Sequence, residues 1–247
     1  MFDHVTIRVS DFDASERFYA TVLGALGVEP SSQAGTLGHW QDFFVSATDL
    51  DHPTTRRLHV GFVAPSRELV DAFWRAGTEA GYEDGGAPGL RPEYGSDYYG
   101  GFLLDPDGNS AEAVNDGDLR RGGIVDHLWI RVADLDRARD FYDTIAPHAG
   151  LRKDRDTAER VQYRGATGTF SLLGIPPTPP TEHLHMAFPA GDDGDVERFH
   201  AAAVAAGYES NGEPGERARY HPGYYAAFVL DPDGNNIEVV NHHRARA

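Results

Sequence analysis

Three residues with the makings of a metal site, two histidines and a glutamate, occur twice in this sequence of 247 residues. His4 and His127 each follow an aspartate and open an alternating segment, DHVTIRV and DHLWIRV. His59 lies in LHVGF and His185 in LHMAF, while Glu112 and Glu238 lie in SAEAV and NIEVV. Strand alternation puts His4, Thr6 and Arg8 on one face, opposite Val5, Ile7 and Val9. It likewise opposes His127, Trp129 and Arg131 to Leu128, Ile130 and Val132. His183 falls on the same face as His185, two residues earlier, and competes with it. A glutamate inside an apolar strand is costly to bury unless a cation or proton donor meets it. Two imidazoles and one carboxylate form the facial-triad donor set, which leaves positions open for substrate or oxygen. Zinc, manganese, nickel or cobalt could occupy the same set.

The elements that must position these side chains also recur. Tyr98 to Asn115 reads YYGGFLLDPDGNSAEAVN and Tyr224 to Asn241 reads YYAAFVLDPDGNNIEVVN, with 12 of 18 positions identical. The opening segments from Asp3 and Asp126 match less strongly, so the chain is a tandem duplication. The polar, glycine-bearing DGDLRRGG, Asp116 to Gly123, is the expected join. It predicts domains over 1–117 and 124–247 with a linker over 118–123. Each copy predicts a strand (Phe2 to Val9, Val125 to Val132) and a helix (Phe12 to Leu26, Leu135 to Ala149) with Asp11 and Asp134 as N-caps. Strands including Asp42 to Ala47 and Thr169 to Gly174 follow. The pattern then restarts, with strands Leu58 to Val63 and His183 to Phe188 and helices Ser66 to Ala80 and Asp193 to Ala206. Two last strands flank the DPDG turn. The class is α+β, with paired β-α-β-β-β modules in each copy. Ile175 to Thr181, IPPTPPT, reads as a loop between modules. Tyr19 and Tyr142 read as core aromatics, and the DPDGN acids as turn caps rather than ligands.

Bulk properties narrow the function. The formal net charge is −17, which repels phosphate backbones and speaks against nucleic acid as a partner. No apolar run reaches the ~20 residues of a membrane span. The opening MFDHVTIRVSDFD lacks a basic start and long apolar run, so it does not read as a secretory signal. A cytoplasmic monomer or homodimer is expected. There is no cysteine, which excludes thiolate chemistry. Lys153 is the only lysine, which weakens any case for Schiff-base chemistry.

These residues resemble the vicinal oxygen chelate superfamily of glyoxalase I, type I extradiol dioxygenases and bleomycin resistance proteins. The resemblance rests on the DH strand, the FY helix and the DPDGNxxE ending, and spans nearly the whole chain. It implies modules whose strands curl round a metal-lined cavity. It also implies ligands from the first, fifth and eighth strands: His4, His59 and Glu112, then His127, His185 and Glu238. The cofactor implied is a divalent metal (Fe, Mn, Zn or Ni) that chelates two oxygens of a small-molecule substrate for lyase, isomerase or dioxygenase chemistry. Glyoxalase I adds an acid on the fourth strand, where only Asp42 is available here. The extradiol signature places a His and a Tyr ahead of the turn. His221 matches the first, but Phe228 and Phe102 stand at the second. His221 is the candidate general base, with Tyr224 beside it as a catalytic candidate. Trp129, Arg131, Phe228, Tyr98 and Arg8 are the candidate substrate-binding residues. The rival expectation is a metal-free binding protein of the bleomycin-resistance type.

Overall fold

The computed structural model describes residues 1–117, 122–174 and 179–243. Residues 118–121 of the expected linker and 175–178 of the proline-rich loop lie outside the described residues. The first repeat runs β1 (His4–Val9), α1 (Phe12–Ala25), β2 (Ser32–Ala34), β3 (Leu37–Trp40), β4 (Phe43–Ala47), β5 (His59–Val63), α2 (Arg67–Glu79), β6 (Glu83–Leu90), β7 (Tyr99–Leu104) and β8 (Ser110–Asn115). The second runs β9 (Val125–Arg131), α3 (Leu135–Ile145), β10 (Arg152–Asp156), β11 (Arg160–Arg164), β12 (Thr169–Leu173), β13 (His185–Pro189), α4 (Asp193–Ala205), β14 (Ser210–Glu216), β15 (Tyr225–Leu230) and β16 (Asn236–Asn241). The β-α-β-β-β order thus occurs four times, in an α+β fold with mixed sheets.

Side-chain caps start all four helices. Asp11 accepts from the Ala14 N–H, Ser66 from Leu69, Asp134 from Asp136 and Arg137, and Asp192 from Asp195. Helix α3 stops at Ile145, short of the expected Ala149. A 3-10 turn, Ala146–His148, replaces its last turn because Pro147 has no N–H to continue the ladder. The expectation for His183 is also corrected. Its φ of 57° is left-handed, and β13 begins only at His185, so His183 is off the strand.

The chain forms two compact units whose borders fall inside β1 and β9: Met1–Val5 with Ile130–Ala247, and Thr6–Trp129. Neither border coincides with the join of the repeat. In the Thr6–Trp129 unit, β6, β7 and β8 are antiparallel, β8 pairs parallel with β5, and β5 pairs antiparallel with β9. In the other unit, β14, β15 and β16 are antiparallel and β16 pairs parallel with β13, whose Ala187 carbonyl accepts from the Asp3 N–H at 2.8 Å.

The DPDG turns tie the hairpins to the helices. Asp105 Oδ1 accepts from the backbone N–H groups of Asp107 and Asn109, and Asp231 Oδ1 from those of Asp233 and Asn235. Tyr19 and Tyr142, fully buried, donate their hydroxyls to Asp105 Oδ2 at 2.8 Å and Asp231 Oδ2 at 3.1 Å. These aromatics fill the core and also satisfy a turn carboxylate. Burial outweighs the hydrogen bonds on Asp231 and pushes its carboxyl up to about 6, from an ordinary 3.8. Between those values the folded chain holds a proton that the unfolded chain has lost. Stability therefore falls as pH rises through the window and is level above it. A shift of about two units corresponds to roughly 3 kcal/mol. Asp231→Asn is expected to gain on the native chain by up to roughly that amount between about pH 4 and pH 7. Urea unfolding at a series of pH values tests this, and a constant difference across the window would contradict it.

Candidate metal centres

Register explains how strand residues meet. On the central strand β5, His59 lies opposite Ser110 of β8 and Trp129 of β9, and two residues on Gly61 lies opposite both Glu112 and His127. Side chains on one face recur every second residue, so His59, Glu112 and His127 rise together from three adjacent strands. The place between them is left by Gly61, where an added Cβ would come within 2.3 Å of His127 Cε1. In the other unit β13 plays the same part. His185 lies opposite Asn236, and Ala187 lies opposite Glu238 and bonds to Asp3, next to His4.

Two donor groups result: His59, Glu112 and His127, and His4, His185 and Glu238. In each, one ligand atom per residue lies within 4.8 Å of the others. His59 Nε2 is 3.1 Å from His127 Nε2, and Glu112 Oε2 is 3.0 Å from the first and 3.3 Å from the second. His4 Nε2 is 3.1 Å from His185 Nε2, and Glu238 Oε2 is 3.5 and 3.0 Å from them. The six residues expected as ligands are therefore all gathered, each in one unit. Each group draws on both repeats, a division that the sequence leaves open: His4 joins His185 and Glu238, and His127 joins His59 and Glu112.

The outer partners make these groups suit a metal ion. Asp126 Oδ1 is 2.8 Å from His127 Nδ1, and Asp3 Oδ1 is 2.9 Å from His4 Nδ1. A carboxylate there takes the Nδ1–H, so in the neutral ring the Nε2 lone pair points inward. His59 Nδ1 bonds Ser110 Oγ at 2.9 Å. His185 Nδ1 accepts from the Asn236 Nδ2 amide at 2.8 Å, and Asn236 Oδ1 in turn accepts from Asn211 Nδ2 at 3.1 Å. With neutral rings, two imidazole nitrogens and a carboxylate oxygen converge in each group as a ligand set that a divalent cation could bind, and without an ion a proton on His127 meets the charge of Glu112. The other glutamate oxygens are held by tyrosines. Tyr98 donates to Glu112 Oε1 at 2.9 Å and Tyr224 to Glu238 Oε1 at 2.6 Å. Burial, then the neighbouring glutamate, pushes both phenols up, so both remain donors. Burial opposes charge on Glu112, but bonds from His127 and His59 outweigh it and leave the carboxyl lowered to about 2. Burial also opposes charge on His127, yet Asp126 and Glu112 raise it to about 9.

The remaining candidates fall at varying distances. Trp129 lies beside His59 and His127 with its ring tilted to both, centroids 5.3 and 6.0 Å away. Phe228 lies 6.2 Å from His185 by the same measure. Arg8 is directed elsewhere, to Ser46 Oγ at 2.9 Å and the Ala47 carbonyl at 3.4 Å. The Arg131 backbone N–H is held by Thr181 Oγ at 3.0 Å. His221 does not bond a triad residue. Its Nδ1–H donates to the Pro222 carbonyl, and its Nε2 meets His242 Nδ1 at 2.8 Å. His242 Nε2 in turn meets Asp3 Oδ2 at 2.8 Å, so a four-residue chain runs from His221 to His4. Asp42 accepts from the Ile124 and Val125 N–H groups. Sequence reading did not single out Asp3, Asp126 or His242. The repeated Asp-His pair was the available signal for the first two.

Residues 1–113 and 124–239 match the family described as the Glyoxalase/Bleomycin resistance protein/Dioxygenase superfamily. The chain belongs to that superfamily. Glyoxalase I from Zea mays is 18% identical over 98% of this chain and 92% of that chain, with a TM-score of 0.70. A glyoxalase/bleomycin resistance protein from Albidiferax ferrireducens T118 is 30% identical over 47% of this chain and 97% of that chain, with a TM-score of 0.43. The maize enzyme shares the fold with this chain. No curated protein sequence matches it. Among the described residues, no helix is long and apolar enough to cross a membrane.

The glycine under one triad gives a direct test of its packing. Ala187 occupies the place of Gly61 in the other unit, and there the His4 side chain is 15% exposed against 5% for His127. Gly61→Ala is expected to push the His127 ring outward, lowering stability by about 1–3 kcal/mol. Metal affinity of that triad should drop at least about tenfold, and that of the His4 triad should hold. Thermal unfolding and metal titration measure both, and an unchanged protein on both counts would refute the packing argument.

Proposed function

We propose that the chain is a divalent-metal-dependent enzyme acting on a small oxygenated organic molecule, with one centre in each compact unit. The observation that carries this reading is the twofold convergence of two Nε2 atoms and a carboxylate oxygen. The satisfied Nδ1 atoms behind them support it. His59, Glu112 and His127 would hold one ion, and His4, His185 and Glu238 the other. A bound Fe, Mn, Zn or Ni ion would act as a Lewis acid toward a pair of substrate oxygens, as lyase, isomerase or dioxygenase chemistry requires.

The chain's own residues supply the rest. Tyr98 and Tyr224 fix the outer oxygen of each glutamate, so that one oxygen alone faces inward. Asp126 and Asp3 fix the ring orientation of His127 and His4. Trp129 and Phe228 offer apolar surface to a substrate beside the imidazoles. For His221 we propose a positioning role, through His242 and Asp3, in place of direct proton abstraction. Arg8 and Arg131 are the less favoured substrate contacts, since Arg8 is occupied by Ser46 and Ala47. The repeats 1–117 and 124–247 are proposed as the duplicated domains, with the linker between them.

Metal content per chain tests the reading, measured by plasma mass spectrometry on protein purified without chelators or a histidine tag. About two equivalents are expected, falling to about one in Glu112→Ala or Glu238→Ala and to none in the double variant. The partition is tested with His127→Ala. It should remove the last equivalent from the Glu238→Ala protein and leave the Glu112→Ala protein unchanged. No bound metal in the folded native chain, even after anaerobic reconstitution, would overturn the metal-centre reading.

A further inference from the structure

A motif that the metal centres do not absorb occurs once beside each of them. Residues 86–91 read GAPGLR and residues 212–217 read GEPGER, a shared G-x-P-G-x-R. In both cases the strand is irregular at its glycines. The register of β6 against β7 shifts between Asp84 and Gly86 and between Gly86 and Gly89. That of β14 against β15 shifts between Ser210 and Gly212 and between Gly212 and Gly215. Bulges of this kind re-aim side chains and cluster next to functional sites.

Here they seat an arginine on a phenylalanine. The Arg91 guanidinium carbon is 5.3 Å from the Phe102 ring centroid, and that of Arg217 is 5.5 Å from Phe228. Each phenylalanine in turn packs on a triad imidazole, Phe102 at 6.0 Å from His59 and Phe228 at 6.2 Å from His185. The glycines leave the room. A Cβ at Gly89 or Gly215 would lie 3.0 Å from the Nη1 of Arg91 or Arg217. One at Gly86 or Gly212 would lie 3.2 or 2.9 Å from the phenylalanine ring. Each guanidinium is half-buried and anchored by Nη2 to the carbonyl four residues earlier, at 2.7 Å for Arg91 and 2.6 Å for Arg217. Among the described residues neither Arg91 nor Arg217 pairs with a carboxylate, although the chain has 39 acidic residues against 22 basic ones. A planar, pre-oriented guanidinium with N–H groups to spare is suited to a carboxylate or phosphate.

We propose that Arg91 and Arg217 are the anion-binding residues of the two centres, and that the substrate is an oxygenated organic anion. Its oxygen pair lies at the triad, and its negative group reaches past the phenylalanine to the arginine. This rests on the metal-centre reading, and the experiment separates the two. The probes are 2-oxoglutarate, 2-oxoadipate and 2-oxosuberate, each compared with the 2-oxo monocarboxylate of the same chain length. Each is titrated by calorimetry into the full-length Mn(II)-loaded protein. Metal content and thermal midpoint are recorded first for the native chain, Arg91→Gln/Arg217→Gln and Arg91→Lys/Arg217→Lys.

At one or more chain lengths the native protein should bind the dicarboxylate about tenfold or more tightly than its partner. The glutamine variant should lose that preference, to within about twofold, with metal content unchanged, and the lysine variant should keep part of it. Equal binding of both probe types at every length, or a preference that survives Arg→Gln, overturns the proposal. So does a loss of preference that the drop in thermal midpoint alone accounts for, with lysine no better than glutamine, because the arginine is then only a clamp on its bulged strand. Failure of the native chain to bind manganese strikes the metal-centre reading itself.

Discussion

A carboxylate with 1% of its surface exposed, in the middle of an apolar strand, is the constraint around which each half of this protein is arranged. Among the described residues, the partners of Glu112 and Glu238 are imidazoles and phenols, with no arginine or lysine. Their charge is met from two sides. A phenol that burial keeps protonated takes one oxygen, and a pair of imidazoles confronts the other. Such a group is stable only beside a positive partner, which is a protonated imidazole such as His127 or, in its place, a bound cation. The outer carboxylates Asp126 and Asp3 orient one imidazole of each group through its Nδ1. The same constraint fixes local sequence: glycine or alanine beneath the ring, a tyrosine fourteen residues before the glutamate, and an acid before the first histidine.

The inner donor types were legible in the sequence because alternation sorts a strand into faces and the repeat marks the same three positions twice. Caps and turns were legible for a similar reason. Asp11, Asp134 and the DPDG acids act on N–H groups two to four residues away, so their role is set by local geometry. The partition of the donors was not legible. Which histidine meets which glutamate depends on the neighbours of β5 and β13. Those pairings join residues far apart in sequence, such as His4 and His185, and no local pattern encodes them. His183 misled for the opposite reason. Its spacing fits the alternation, but its left-handed backbone ends the alternation before the strand begins.

Duplication has kept the inner donors and varied their support. Gly61 and Gly100 face His127 and Glu112, and an added Cβ at either would come within 2.3 Å of the ligand side chain. Their counterparts are Ala187 and Ala226, both buried. His4 is more exposed than His127, while Glu238 and Glu112 are equally buried. A single backbone plan thus yields two pockets of donors with different depth, and depth sets how strongly burial acts on each charge.

The outer partners differ more sharply than the inner ones. Behind His127 lies Asp126, whose side chain is 6% exposed. Behind His4 lies Asp3, 18% exposed, and beyond it His242 and His221 extend the hydrogen-bonded chain toward the surface. Gly95 and Asp116 stand at the equivalent places in the first repeat, so neither can supply an imidazole there. The ring of His4 is therefore coupled through Asp3 to two further imidazoles, whereas His127 is backed by a buried carboxylate. Two donor sets alike in composition are in this way given unequal electrostatic surroundings. The difference arises from residues outside the repeated motifs, which is why the repeat alone conceals it.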